Sequence, residues 1–278
     1  MLELYDQIQE ACQFIRSQWD GQPHAGIILG TGLGSLAAQI DVEAAIDYGE
    51  IPNFPTSTAI SHAGRLVCGR LEGLSVMAME GRFHMYEGYS LKQVTLPVRV
   101  FKEMGAELMI VSSAVGGMNP LHSTGDIIVV DDHINLMGDN PLIGINDDRL
   151  GPRFPDMSAP YDQELGRIVL EIARKHDIVA HRGVHSVVSG PNLETRAEYR
   201  FLRAIGADTV GMSMAPEVIV AVHAGLRSLG LSVITDMCLP DALKPAIVEE
   251  IIEVANAAEP KLTTLVCGVL AHEASRQT

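Results

Sequence analysis

The sequence predicts an α/β fold with a mixed, largely parallel central sheet flanked by helices. Short apolar runs alternate with helical spacing along the chain, which is typical of a sheet with crossover helices. A turn signal at Glu72-Gly73 between two apolar runs adds a hairpin and makes the sheet mixed. No linker or shift of composition divides the 278 residues, so we expect one domain over residues 1–278.

In the first half of the chain, the spacing of apolar residues predicts helices and strands in turn. Apolar residues recur every three or four positions in helices and form continuous or alternating runs in strands. Pro97 stands inside one helical run and predicts a kink or the start of the helix. The predicted elements are a helix over 1–19, a strand over 25–29, two strands around the turn within 65–79, a helix over 91–104, and strands over 106–112 and 126–130.

The second half opens with residues 135–158, which are polar, rich in Gly, Pro and Asp, and without periodicity. A loop of this length inside a compact domain is usually functional or part of an interface. The alternation then resumes, and Pro191 and Asn192 open one of the helices. The predicted elements are helices over 162–176, 194–205, 216–229 and 247–272 and strands over 185–188, 208–212 and 231–235.

Composition and charge exclude several classes of protein. Hydrophobic residues make up 47% and charged residues 20%, which supplies a core and excludes a disordered chain. A net charge of −15 argues against a nucleic-acid partner and against docking on anionic lipid. It leaves room for an anionic substrate, because one or two local cations can define a site. No apolar stretch reaches about 18 residues, so we expect no membrane span.

The four cysteines are Cys12, Cys68, Cys238 and Cys267. They show neither a CxxC pair nor the spacing of a zinc ribbon, so we predict reduced thiols, a cytoplasmic location and no metal. The N-terminal helix has no basic region followed by an apolar core, and it is therefore not a signal peptide.

Several predicted strands end in unusual small or polar residues. In open α/β sheets, ligands bind beyond the carboxyl ends of the strands, so we expect these ends to form one site. The segments are residues 30–34, 81–86, 113–117, 211–213 and 235–236.

Residues 30–34 read GTGLG, which resembles a dinucleotide fingerprint. The third glycine of that fingerprint is missing, since Ser35 stands there, and no Gly-Lys-Ser/Thr follows for a Walker A loop. What remains is a turn with free backbone N–H groups and the Thr31 hydroxyl, which can hold a single phosphate. A tight glycine turn without a ligand is the alternative.

Arg82 and His84 are two residues apart on an extended segment, so their side chains point the same way, with Phe83 packed behind. Arginine binds an oxyanion with two parallel hydrogen bonds, and histidine adds a donor or a proton. A surface arginine and a core histidine are the alternative. Glu194 at a helix start could equally serve the helix dipole, and Met212 at a strand end could be core.

Taken together, these segments resemble the trimeric, low-molecular-mass purine nucleoside phosphorylases from about residue 25 to about residue 240. The matching motifs, in order, are GTGLG at 30–34, HAGRLV at 62–67, GRFHMYEGY at 81–89, AVGGMNP at 114–120, GPNLETRAE at 190–198 and VGMSMAPEV at 210–218. The resemblance implies purine salvage by phosphorolysis of purine ribonucleosides or deoxyribonucleosides to free purine and pentose 1-phosphate. It also implies a partly barrel-like sheet, a homotrimer, and no metal or organic cofactor.

The resemblance implies roles for individual residues by matching position. Phosphate would be bound by Thr31, His62, Arg82, His84, Ser213 and the backbone N–H of Ala114. The purine would be bound by Val115, Leu193, Glu194, Val210 and Asp236, with Leu193 standing where many relatives carry a stacking Phe. The ribose would contact Tyr86, Met212 and the neighbouring subunit's Phe154, which would make the trimer functionally necessary.

Catalysis is assigned by the same resemblance to His84, Glu194 and Asp236. The C1′–N9 bond stretches toward an oxocarbenium-like centre, as in other glycosyl transfers. Phosphate supplies the nucleophile and an opposing negative charge. Glu194 would bind the N1–H edge, and Asp236 would face N7 and the six-position edge, where charge develops on the leaving purine.

One departure from the family pattern is the pair Thr235-Asp236, where most relatives have Thr-Asn. An Asn amide both donates and accepts, whereas an ionised Asp only accepts. Asp236 would therefore suit the N6 amino group of adenine, or it must be protonated to donate to N7, while Glu194 favours a base with N1–H. We expect activity on 6-oxopurines (inosine, guanosine) with widened tolerance for adenosine.

A second departure concerns the sugar 5′-hydroxyl, where many relatives place a His. Residues 239–250 contain none, and Val248 falls near that place. An adenosine- or 5′-methylthioadenosine-preferring phosphorylase is therefore the alternative within the fold. From other classes, the alternatives are a non-catalytic nucleoside-binding protein and, from GTGLG alone, a nucleotide-cofactor oxidoreductase.

Overall fold

The structure of the chain, a computed structural model, describes residues 2–30, 34–57 and 63–276. The helices are α1 (Leu2–Gln18), α2 (Gly34–Ala37), α3 (Leu91–Val94), α4 (Leu96–Met104), α5 (Gln163–Lys175), α6 (Arg196–Ala204), α7 (Ala215–His223) and α8 (Val248–Ser275). The strands are β1 (Ala25–Leu29), β2 (Asp41–Asp47), β3 (Arg65–Leu71), β4 (Leu74–Glu80), β5 (Leu108–Gly117), β6 (Ile127–Asn135), β7 (Ala180–Val187), β8 (Thr209–Gly211) and β9 (Arg227–Met237).

The nine strands form one sheet that partly closes on itself. Its order is β2-β3-β4-β1-β5-β8-β7-β6-β9, and β9 also pairs with β5, so that β5, β8, β7, β6 and β9 make a closed ring. Strand β1 pairs in parallel with β4 and β5, and β5 pairs in parallel with β9. The predicted mixed, partly barrel-like α/β class is confirmed.

Antiparallel pairing is more extensive than the sequence predicted. Besides the hairpin of β3 and β4, the pairs β2–β3, β5–β8 and β6–β9 are antiparallel. Strand β2 was not predicted at all. Most of its residues are exposed and several are charged, as in an edge strand with little burial, so its apolar pattern is weak.

Two predicted boundaries in the helices are wrong, whereas the prediction that Pro97 marks a helix start is confirmed. The helix predicted over 216–229 ends at His223, and a turn with Gly225 at a φ of 72° leads directly into β9. The helix predicted over 194–205 starts at Arg196, because Thr195 and Glu198 form a capping box there. Pro97 lies in the first turn of α4 and marks a helix start, with the short helix α3 before it.

The sheet is buried on both faces, which explains why β1 is a continuous apolar run. Ile28 belongs to one core cluster, whereas Ile27 and Leu29 belong to the other, as the two-residue period of a strand requires. Helices α1, α4 and α7 contribute to the first cluster, and α2, α5 and α8 contribute to the second. Within the described parts of the chain, none of the helices combines the length and the apolar character needed to cross a membrane.

Candidate functional site

A pocket that opens to solvent lies beyond the carboxyl ends of β1, β5 and β9. These strands are parallel, so Gly30, the end of β5 and Thr235-Asp236 meet at one edge of the sheet. The predicted site residues that line this pocket are Arg82, His84, Tyr86, Ala114, Val115, Leu193, Glu194, Val210, Met212, Ser213 and Asp236. The five predicted strand ends therefore converge on one pocket.

Of the other three predicted site residues, two lie outside the described part of the chain and one does not line this pocket. Thr31 and His62 lie outside the described residues. Phe154 does not line the pocket of its own chain; its side chain is 85% exposed, with the Arg153 guanidinium 5.5 Å from the ring centroid. It stands on the long stretch between β6 and α5, which contains no helix or strand, as predicted for residues 135–158.

Arg82 is a buried guanidinium at the wall of the pocket. Its Nη1 donates to the Ser112 carbonyl at 2.6 Å and to Ser213 Oγ at 3.1 Å. Its Nη2 lies 2.9 Å from Oε1 of Glu217, which is also buried. Glu217 compensates a charge that would be costly to bury alone, and it fixes the direction of the guanidinium. Glu217 was not predicted as a site residue; in the sequence it is marked only as a single carboxylate among the apolar residues of α7.

His84 is oriented by Glu87, a second partner that sequence reasoning missed. The same Glu87 oxygen lies 3.0 Å from His84 Nδ1 and 2.8 Å from the His84 backbone N–H. The imidazole stacks on Tyr86, with ring centroids 4.6 Å apart. Phe83 points away into an aromatic cluster, so the predicted alternation along this segment is confirmed.

Ser213 is held in place by a fully buried histidine. The Nε2 of His185 lies 3.3 Å from the Ser213 carbonyl, and its Nδ1 lies 3.1 Å from Thr209 Oγ1. Burial lowers the pKa of His185 to about 4, so the ring is neutral at physiological pH. The neutral ring links Thr209, at the start of β8, to Ser213, which follows β8, and it adds no charge to the pocket.

A pair of carboxylates, Glu194 and Asp236, also faces the pocket. Oδ1 of Asp236 lies 3.0 Å from Thr235 Oγ1, and Oδ2 accepts from Cys238 Sγ at 3.1 Å. Burial raises the pKa of Glu194, with a hydrogen bond from Tyr199 opposing the shift and the charge of Asp236 adding to it. Tyr199 and Cys238 were missed from the sequence, although Cys238 follows Asp236 at the two-residue spacing of one strand face.

The segment before α6 packs directly on Met212. Gly190 has a φ of +63°, and a Cβ at this position would lie 2.3 Å from Met212 Sδ. A side chain here would displace Met212 from the pocket wall. The glycine of the motif GPNLE therefore brings Leu193 and Glu194 against the end of β8.

The start of helix α8 lies beside the pocket. Val248, which the sequence placed near the sugar 5′ position, is 57% exposed and does not line the pocket. Helix α8 begins at Val248, so the residue on the next turn, Ile251, reaches the pocket instead. The wall here is still apolar. Among the residues that the structure describes, no group of three or more His, Cys, Asp or Glu is placed to hold a metal ion.

Comparison with known proteins finds similar chains over nearly the whole length. The family model of the Phosphorylase superfamily matches residues 24–271. Purine nucleoside phosphorylase 1 of Bacillus subtilis is 48% identical over 96% of this chain and 98% of its own length. Purine nucleoside phosphorylase of Rattus norvegicus is 45% identical over 94% of this chain and 93% of its own.

A solved structure gives the same result for the fold. Isoform 2 of purine nucleoside phosphorylase from Schistosoma mansoni, in complex with cytosine and ribose-1-phosphate, superposes with a TM-score of 0.92. It is 36% identical in sequence, and the match covers 96% of each chain. The similarity in fold therefore extends over nearly the whole chain.

Proposed function

Because the chain belongs to the Phosphorylase superfamily, and within it to the purine nucleoside phosphorylases, we propose that this pocket carries out the reaction of those relatives. Phosphate attacks C1′ of a purine ribonucleoside or deoxyribonucleoside, and the products are the free purine and the pentose 1-phosphate. The observation that carries the proposal is that one pocket holds a buried guanidinium, a serine hydroxyl and two carboxylates. Inorganic phosphate is a co-substrate, and no cofactor takes part.

The phosphate subsite is built around Arg82. Its guanidinium already donates to Ser213 Oγ, so both groups point to the same volume. His84, fixed by Glu87, adds a donor, and the Ala114 backbone N–H adds another at the end of β5. These groups replace the water around a phosphate dianion with charge-assisted hydrogen bonds. We expect Thr31 and His62, which are not among the described residues, to complete the subsite.

The chemistry follows from where charge develops. As the C1′–N9 bond stretches, the sugar becomes cationic, and the bound phosphate lies close enough to stabilise it and then to attack. The purine leaves with negative charge on its ring, which the donors at N7 and at position six must stabilise. Glu194 and Asp236 would hold this edge of the base. Met212 and Tyr86 would hold the sugar between the two subsites.

A homotrimer would complete the sugar site; this is supported by Phe154, which is exposed and does not line the pocket of its own chain. We expect Phe154→Ala to raise the nucleoside KM about fivefold, because an aromatic contact is worth about 1 kcal/mol. Steady-state kinetics with inosine measures this. Leu121→Ala, which removes an equally exposed side chain, is the matched control.

Mixing two impaired chains tests the neighbour's role directly. Trimers refolded from Phe154→Ala and Arg82→Ala chains contain some pockets with an intact Arg82 and a neighbour's intact Phe154. We expect these mixed trimers to recover activity above the average of the two parents. If Phe154 acts on its own chain, mixing restores nothing.

The activity itself is tested by following hypoxanthine release from inosine with and without phosphate. We expect release only with phosphate, and ribose 1-phosphate in equal amount. Release without phosphate would indicate a hydrolase, and binding without release would favour the non-catalytic alternative. We place the enzyme in the cytoplasm, since its four cysteines are all unpaired thiols.

A further inference from the structure

One buried residue beside the pocket has a backbone conformation that residues with a side chain rarely adopt. Met214 has a φ of 80° and a ψ of −56°. These are the angles of a classic γ-turn, which is rare and strained. Within the described part of the chain, the other non-glycine residues with a positive φ, between 51° and 67°, are Asn53, Glu72 and Asp177, and these are exposed. Met214 is instead fully buried, so an exposed turn does not explain its conformation.

Hydrogen bonds fix the γ-turn at Met214 on both sides. The Ala215 N–H donates to the Ser213 carbonyl at 3.1 Å, which is the bond that closes such a turn. His185 Nε2, on β7, lies 3.3 Å from the same carbonyl. On the other side, the Val218 N–H donates to the Met214 carbonyl at 2.9 Å. The turn is therefore fixed relative to both β7 and α7.

The side chain of Met214 anchors the turn in the core. It belongs to the core cluster to which α1, α4 and α7 contribute. Its sulfur packs against β9, where a Cβ added at Gly230 would lie 3.0 Å from Met214 Sδ and 2.8 Å from Tyr161 Cε1. The missing side chain at Gly230 therefore leaves the space that Met214 occupies. A strained conformation persists only where the surrounding structure holds it in this way.

The turn determines where the Ser213 hydroxyl lies. Ser213 directly precedes Met214, and its Oγ accepts from Arg82 Nη1 at 3.1 Å at the wall of the pocket. The φ of Met214 sets the direction of the preceding peptide unit relative to α7. Relaxation of Met214 to a negative φ would therefore turn Ser213 away from Arg82.

We propose that Met214 is a positioning residue, whose strained backbone directs the Ser213 hydroxyl to the phosphate and whose buried side chain holds the backbone in that conformation. This rests on the proposed function, in which Ser213 and Arg82 bind phosphate. Met214 is fully buried and does not line the pocket, so it acts through Ser213 and does not touch the substrate. Strained residues gather at functional sites because they hold such groups in place before the ligand binds.

The proposal reverses the usual order of two substitutions. At an ordinary buried position, glycine destabilises more than alanine, because it adds conformational freedom to the unfolded chain. At position 214, glycine adopts the positive φ without strain, whereas alanine keeps the strain and loses the anchor. We therefore expect Met214→Gly to melt above Met214→Ala and to have the lower phosphate KM of the two.

Met104 is the matched control for this reversal. It is a buried methionine of the same core cluster, but it lies in helix α4 and away from the pocket. Glycine is less favourable than alanine in a helix. We expect Met104→Gly to melt below Met104→Ala, and neither variant to change the phosphate KM.

A double-mutant cycle tests whether Met214 acts through Ser213. We expect Met214→Ala and Ser213→Ala each to raise the phosphate KM about tenfold to a hundredfold, as the loss of one hydrogen bond to a charged group does. The double variant shows no further rise, because a hydroxyl that is absent cannot be misdirected. Met214→Leu keeps the volume of the side chain, and we expect it to keep the phosphate KM of the unchanged protein.

Phosphate binding supplies a second readout that does not need turnover. Inorganic phosphate that binds the folded protein raises its Tm. At a fixed phosphate concentration, we expect a smaller rise in Met214→Ala, Ser213→Ala and the double variant, and the full rise in Met214→Leu and Met104→Ala. If Met214→Ala does not fold, Met214→Gly replaces it in the cycle, where its smaller effect also disappears once Ser213 is alanine.

The outcomes separate this inference from the proposed function. Phosphorolysis of inosine overturns the positioning role and leaves the function intact if the phosphate KM is unchanged in Met214→Ala, or if the effects of Met214→Ala and Ser213→Ala multiply. Met214→Gly melting below Met214→Ala also overturns it. Stabilisation by phosphate that follows the cycle, without release of base from any nucleoside, overturns the function and leaves the positioning role intact.

Discussion

Replacing Arg82 with alanine is expected to raise the KM for phosphate about a hundredfold to a thousandfold, because it removes the buried cation of the phosphate subsite. A preorganised donor in a site shielded from water contributes this much when it is deleted. The guanidinium lies between Ser213 Oγ and Glu217, which hold it at the wall of the pocket. Initial rates over a range of phosphate concentrations measure the change.

The same substitution also affects stability, and the two effects have to be separated. Arg82→Ala leaves the Glu217 carboxylate buried beside no cation, which costs about 3–5 kcal/mol of folding free energy. The double variant Arg82→Met, Glu217→Gln removes both charges and avoids that cost. We expect it to melt well above Arg82→Ala and to keep the high phosphate KM. Arg200→Ala, on the exposed pair with Asp241, is the control. A folded double variant with unchanged phosphate KM would remove Arg82 from its role.

Replacing Gly151 with alanine is expected to lower the free energy of unfolding by about 3–5 kcal/mol, as much as Arg82→Ala does. Gly151 has a φ of +145°, and a Cβ there would lie 2.0 Å from the His223 carbonyl oxygen. Backbone strain and overpacking each contribute about 1–3 kcal/mol. The clash is with backbone at the end of α7, which cannot turn away as a side chain can. Urea unfolding measures the loss.

The surroundings of Gly151 make the clash hard to relieve. Burial and the neighbouring Arg99 lower the pKa of His223 to about 4, so the ring is neutral and stays packed. On the other side, Arg149 pairs with Asp147 and lies 3.7 Å over the ring of Tyr5. The segment that leads to Phe154 is therefore fixed by the contacts of Arg149 and by the packing of Gly151 against His223.

Gly138→Ala is the matched control for this prediction. Gly138 also has a positive φ, of +74°, but nothing lies within 4 Å of the position that an added Cβ would take, so only the conformational cost of about 1–2 kcal/mol applies. If the two variants lose the same stability, the close approach to His223 is not the cause. If Gly151→Ala folds stably, we expect a raised nucleoside KM through a displaced Phe154.

Much of the fold and the pocket could be predicted because they depend on local patterns. Strand β1 is buried on both faces, so its five apolar residues marked both its ends correctly. The edge strand β2 has no such pattern, and the end of α7 depended on a turn at Gly225 that apolar spacing does not reveal. The spacing of apolar residues therefore predicts the bounds of an element where its residues are uniformly buried, and it fails where they are not.

The residues that support the site were harder to predict than those that line it. Arg82, Glu194 and Ser213 stand in motifs, but Glu217 and Tyr199 become partners only through the fold. Glu217 on α7 meets Arg82, which follows β4, and Tyr199 on α6 meets Cys238, which follows β9. A residue whose role depends on a distant segment leaves no local pattern.

The closed ring of five strands has a consequence for how the molecule is made. Strand β9, near the end of the chain, seals the ring against β5 and β6, and it also carries Asp236 into the pocket. During synthesis, the edges of β5 and β6 that pair with β9 therefore stay unpaired until most of the chain has emerged. Pairing between strands so far apart in sequence is slow, and the unpaired edges are exposed to aggregation in the meantime. The pocket and the closed ring arise in the same late step, so a chain that stops before β9 has neither.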